Sequence, residues 1–164
     1  MESGLQGLDI ALERCAHLVI KSDTPKGRGV FATENIPSGT VIDICPVLLL
    51  GIQENKDHIE QTSLFHYTYN WPIVNQNGEP NVTQAVIFGL GSMFNHSTQG
   101  QNVGWLRDSK RLIITYRALR DIARGEELCI SYGNHLTFED ADKQPPTPPE
   151  EEMEQLMMIG LTDG

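Results

Sequence analysis

A chain of 164 residues, 39% of them hydrophobic, is long enough to bury one sizeable core, and the length favours a single domain with a tail. No run of 18 or more apolar residues occurs, and the start MESGLQGLDIALER lacks a basic stretch followed by an apolar one, so neither a membrane span nor a secretory signal is expected and the chain reads as soluble and intracellular, nuclear or cytoplasmic. A formal charge of −10 disfavours direct nucleic-acid binding, which requires a basic face, and suits a basic peptide partner.

Leu5 to Arg14 has the spacing of a short helix. Residues 17–21 (HLVIK), 29–33 (GVFAT), 40–44 (TVIDI) and 46–50 (PVLLL) are short, apolar or β-branched runs separated by Gly, Pro and Ser, which predicts strands. Residues 52–63 are polar with Ile52 and Ile59 seven apart, a short surface helix or an irregular insertion. Strand patterns return at 66–71, 83–89, 111–119 and 126–132, and GSMFNHS (91–97) reads as one helical turn ending in a loop. Many short strands with few helices make a mostly β domain, a β-rich α+β arrangement.

The four prolines within residues 145–149 end that domain near Phe138, because proline cannot continue a ladder and favours an extended linker, here residues 139–149. In the acidic stretch 150–164, Met153, Leu156 and Met157 share one face of an amphipathic helix introduced by Thr147 and Glu150 at capping-box spacing. A solvated, unstructured tail is the competing reading. Cys15, Cys45 and Cys129 form no CxxC pair and stand at no metal-ligand spacing, so they read as reduced thiols, Cys45 and Cys129 being buried, and no metal is expected.

Three stretches concentrate the chemistry. Lys26-Gly27-Arg28-Gly29-Val30-Phe31-Ala32 matches a loose dinucleotide fingerprint, but that site needs a helix next, and Pro37 and Gly39 fall where it should run. The glycines suit a tight turn where backbone meets a ligand. Asn95-His96-Ser97, followed by Asn102, lies in the loop after GLGSMF, and Gly125-Glu126-Glu127-Leu128-Cys129-Ile130-Ser131-Tyr132-Gly133 is an apolar strand ending in Tyr-Gly. Each alone is compatible with ordinary turn and strand duties.

In this order and spacing, KGRGVFA, GLGSMFNHS and RALRDIARGEELCISYG resemble the SET-domain protein-lysine methyltransferases over roughly residues 15–138. The resemblance implies the SET fold, short strands in small sheets with a knot-like C-terminal threading that sets the NHS segment beside the strand leading to SYG. It implies S-adenosyl-L-methionine as cofactor, held by Lys26, Gly27, Arg28, Gly29, Asn95, His96 and Tyr132, with Phe138 a candidate to cover the adenine and Tyr132 as catalytic tyrosine. Asn102 falls seven residues after Asn95 where the family places its asparagine six after, and the cysteine and proline usual after NHS are missing.

The implied chemistry needs no metal: a sulfonium methyl requires in-line alignment of a neutral amine. A lysine with an ordinary pKa is only about 0.1% neutral near pH 7.4, a deficit of about 4 kcal/mol that an apolar channel reduces by desolvation. Ile130 shares a strand face with Tyr132, and Trp105, Tyr67, Tyr69, Trp71 and Tyr116 are further channel candidates, with core packing the competing role for each. The family and the acidic charge point to a histone tail as substrate. A non-histone protein substrate and a catalytically silent peptide-binding module are the alternatives. Zinc segments that often flank SET domains are absent from the sequence, so the tail or a second protomer, in a homodimer, is a candidate to complete the site.

Overall fold

A computed structural model describes residues 9–131. Two small sheets form its framework. Strand β1 (Leu18–Thr24) turns through Pro25 and Lys26 into β2 (Gly27–Ala32), with Gly27 at a φ of 82° that disfavours a side chain, and Lys26 N–H donating to Thr24 Oγ1. Val30 and Phe31 of β2 pair with β9 (Glu127–Ile130), and β9 pairs in parallel with the two-residue β6 (Asn95–His96), completing the order β1-β2-β9-β6.

The second sheet is antiparallel, in the order β4 (Thr68–Val74), β5 (Pro80–Ile87), β3 (Val41–Leu49), β8 (Ile113–Ala118), β7 (Val103–Asp108). Side-chain alternation gives it one buried face carrying Cys45, Val47, Tyr69, Trp71, Ala85, Ile87, Trp105, Ile114 and Tyr116. The sheet curls until its two edges meet: Arg107 on β7 donates from Nη2 to the Asn70 carbonyl on β4 at 3.1 Å, and Tyr69 packs edge-on to Trp105 at 5.6 Å. The core lies inside this curl and continues under β2 and β9 through Val30, Leu128 and Ile130.

Several expectations are corrected. Residues 9–14 form no helix; Glu13 and Cys15 bond instead to the backbone of β3, drawn there because Arg14 Nε and Nη2 donate to Asp43 at 3.2 and 3.0 Å. A partner of this kind overrides weak helical propensity. The runs at 40–44 and 46–50 are one strand, β3, which pairs β8 over its first part and β5 over its last, so Pro46 falls at the handover. Residues 52–67 hold a helix α1 (Ile52–Asp57) and two 3₁₀ turns (Ile59–Gln61 and Ser63–Tyr67), which delays β4 to Thr68. GSM forms the expected single turn, of 3₁₀ type, but Asn95 and His96 are strand, not loop. The sequence does not announce strand β7, because Gly104 and the charged end RDSK mask its alternation. The linker 139–149 and tail 150–164 lie outside the described residues, as do Leu5 to Leu8 of the expected helix.

Asp43 is 3% exposed and anchors the segment leading to β6, accepting from Leu90 N–H at 3.0 Å and from the Cys45 thiol at 3.3 Å as well as from Arg14. Replacing Asp43 by Ala strands the buried Leu90 N–H and removes the anchor for residues 13–15. We expect a loss of about 3 kcal/mol in urea denaturation; a loss below about 0.5 kcal/mol would show that the carboxylate does not hold this corner.

Candidate active site

The three motifs that the sequence separates by up to 100 residues meet at one corner of the first sheet. Two ladders bring them there. Pairing of β2 with β9 sets Phe31 opposite Glu127, and pairing of β6 with β9 sets Asn95 opposite Cys129 and His96 opposite Ile130. Ser97 N–H extends the second ladder by donating to the Ile130 carbonyl at 2.9 Å.

Asn102 holds β9 from a further direction. It is 1% exposed, and its carboxamide imitates a neighbouring strand: Oδ1 accepts from Cys129 N–H and Nδ2 donates to the Glu127 carbonyl, both at 2.8 Å. The longer spacing after Asn95 therefore leaves Asn102 a β9 clamp within the core.

Side chains close the corner. Asn95 Nδ2 donates to the Arg28 carbonyl at 3.0 Å and to Glu127 Oε1 at 2.6 Å, while Lys26 Nζ donates to the His96 carbonyl at 3.3 Å. Gly29 is buried where these meet: a methyl added there would stand 2.5 Å from Glu127 Oε1 and 2.8 Å from Asn95 Nδ2. A glycine is required by close approach, since any side chain would displace both partners. The ring of His96 is buried and lies with Nε2 3.0 Å from Thr98 Oγ1. Asn95 Oδ1, the Arg28 and His96 carbonyls and the Glu127 carboxylate make this corner rich in acceptors, which suits a cationic ligand. The sequence pattern gives Glu127 no role; its pairing opposite Phe31 and its bond to Asn95 place it in the corner.

The aromatic candidates divide. Tyr69, Trp105, Tyr116 and Ile130 are buried, and what the structure displays for them is core packing. Tyr116 Oη donates to Tyr69 Oη at 3.1 Å, and Tyr69 Oη donates to the Gly91 carbonyl at 2.6 Å, tying the curled sheet to the turn before β6. Trp105 Nε1 donates to the Ser131 carbonyl at 3.1 Å, which ties the same wall to the end of β9. Trp71 and Trp105 both pack against Arg107, whose guanidinium carbon is 4.8 and 5.3 Å from their rings. Burial holds this guanidinium down at about 10, and its Nε and Nη1 have no hydrogen-bond partner among the described residues. Tyr67 is exposed on a 3₁₀ turn, apart from the others. Tyr132 and Phe138 lie outside the described residues.

Residues 27–133 match the SET domain family. The chain is 46% identical over 146 residues to the histone-lysine N-methyltransferase, H3 lysine-37 specific, of Schizosaccharomyces pombe, a match covering 88% of this chain and 93% of that protein. It is 30% identical over 127 residues to the variant-silencing SET domain-containing protein of Plasmodium falciparum, covering 74% of this chain and 5% of that much longer one. Among solved structures, CpSET8 from Cryptosporidium superposes with a TM-score of 0.53 at 26% identity, covering 71% of this chain and 57% of that one. A candidate histone methyltransferase of Plasmodium falciparum has the same fold at 21% identity, with a TM-score of 0.52 over 75% of this chain and 96% of that one.

The thiols allow a test of the packing at this corner. Burial, and then the Glu127 charge, push the Cys129 thiol up to about 11; burial, and then Asp43, push Cys45 up to about 12. Both stay protonated at pH 8, and protonated thiols are poor nucleophiles. Alkylation of the native protein at pH 8, read by peptide mass spectrometry, should therefore modify the partly exposed Cys15 and spare Cys45 and Cys129 until denaturant is added. Prompt labelling of Cys129 would contradict the packing of β9 described above.

Proposed function

The chain belongs to the SET-domain family of protein-lysine methyltransferases, and from that premise we propose that it transfers a methyl group from S-adenosyl-L-methionine to a lysine in the histone H3 tail, in the nucleus. The observation that carries the substrate is the relative named for H3 lysine-37, which matches across 93% of its own length. The same lysine of histone H3 is accordingly the first position to test.

S-adenosyl-L-methionine, when bound, supplies an electrophilic methyl on a sulfonium. The corner built from residues 26–29, 95–96 and 127 fits it, because the donor carries an ammonium and a sulfonium and the corner presents acceptors. We assign Lys26, Gly27, Arg28, Gly29, Asn95 and His96 to it, with Phe138 toward the adenine and the Tyr132 hydroxyl as the orienting group at the reacting centre.

The lysine stem would run against the apolar wall of Ile130, Tyr69, Trp105 and Tyr116. Such a wall disfavours the ammonium form of the amine by desolvation, and the fixed cation of Arg107 against the same indoles acts in the same direction. The tail, with Met153, Leu156 and Met157 on one face, is proposed to complete the site from the same chain or from a second protomer.

Transfer of labelled methyl to recombinant H3, mapped by mass spectrometry, tests the reading; peptide binding without transfer would make the chain a binding module instead. Tyr132→Phe is expected to keep the melting temperature and to slow transfer roughly 100- to 1,000-fold, the effect of one oriented hydroxyl. Near-normal turnover would remove Tyr132 from the mechanism. Asn95→Ala and His96→Ala should each weaken calorimetric binding of S-adenosylhomocysteine more than binding of the peptide. Truncation after Lys143 should lower activity or stability; unchanged activity, melting temperature and sedimentation mass would leave the tail a solvated appendage.

A further inference from the structure

Glu127 stands at the centre of the acceptor-rich corner. Its Oε1 accepts from Asn95 Nδ2 at 2.6 Å and occupies the space that a side chain at position 29 would need. An amide can be turned either way, and its oxygen and nitrogen are alike in shape. Here the Arg28 carbonyl and the Glu127 carboxylate, both acceptors, fix the nitrogen inward. Asn95 Oδ1 then makes no hydrogen bond among the described residues and remains an acceptor for a ligand. A side chain without an acceptor at position 127 would relax that choice.

The carboxylate also brings charge. Its neighbour Glu126 is paired with Arg120, Nη2 to Oε1 at 2.5 Å, and so is largely compensated. Lys26 spends its ammonium on the His96 carbonyl. The Glu127 field is felt locally, as the Cys129 thiol registers. S-adenosyl-L-methionine carries a sulfonium, an ammonium and a carboxylate, for a net charge of about +1, whereas its product is a neutral thioether of net charge near zero. A carboxylate beside the ligand lowers the energy of the first more than that of the second.

We propose that Glu127 is a positioning residue of the cofactor site that turns the Asn95 amide outward and, through its charge, favours the methyl donor over the demethylated product. The proposal rests on the methyl-donor reading above. It deepens that reading by assigning the discrimination that lets product leave in the presence of fresh donor.

Glu127→Gln separates the two parts, because the glutamine oxygen can still accept from Asn95 while the charge is gone. Calorimetry with the full chain should show about tenfold weaker binding of S-adenosyl-L-methionine, the size of a single charge acting across a partly solvated site, and S-adenosylhomocysteine binding within about twofold of the parent. Glu127→Ala, which also frees the amide, should weaken both ligands. Lys26→Met, at an exposed position that leaves the core alone, should move the ratio of the two affinities the opposite way, toward the donor. If Glu127→Gln does not fold, as judged by its melting transition, Lys26→Met alone decides. An unchanged ratio in the folded variants overturns the proposal. A parent protein that binds neither ligand would instead overturn the methyl-donor reading, and the two failures are thereby distinguished.

Discussion

The carboxamide of Asn102 is the interaction on which the site depends. Strand β9 has only four residues, too few to be held by one ladder, yet it positions Glu127, Cys129 and Ile130 at once. Asn102 supplies two further bonds to its backbone from within the core, where an unmade bond would be costly. With β9 fixed, the parallel pairing of β6 sets Asn95 and His96, and the antiparallel pairing of β2 sets Arg28 and Gly29. A buried asparagine thus does for register what a longer strand would otherwise do.

The second sheet acts as a brace. Its curl brings β4 and β7 together although three strands separate them, and Arg107 bridges the gap to the Asn70 carbonyl. Burying a guanidinium with two nitrogens unpartnered among the described residues costs free energy, and the two indoles beside it offset part of that cost. The phenol pair of Tyr69 and Tyr116 then passes the alignment to Gly91, one turn before Asn95. Asp43 completes the frame from behind by receiving Leu90. The segment 90–96 is held at both ends, so its short strand needs little intrinsic propensity to form.

The sequence disclosed what local chemistry encodes. Alternation exposed most strands, and the KGRG, NHS and SYG stretches exposed the family because their residue types are unusual in combination. It concealed what depends on partners distant in the chain. Strand β7 is interrupted by Gly104 and ends in charges, so only its pairing with β8, Trp105 opposite Tyr116, makes it a strand. Residues 9–14 look helical until Arg14 finds Asp43, 29 positions away. Glu126 and Glu127 are adjacent acids in GEEL, and nothing local separates them. One faces Arg120 and the surface, the other faces Asn95, and the pleat of β9 decides between them.

Charge is distributed in a way that suits this division between frame and site. Residues 9–131 hold 13 acidic and 11 basic side chains, so the described domain is nearly neutral. Residues 132–164 hold eight acidic side chains and one lysine, so most of the formal −10 belongs to that stretch. Screening limits a surface charge to about 8 Å in physiological salt, so those acids act on a ligand only where they come near it. They suit attraction of a basic tail, whereas Glu127 stands beside Asn95 in the acceptor-rich corner. On the proposed reading, attraction of the substrate and selection of the cofactor would be separate electrostatic tasks, carried by different residues.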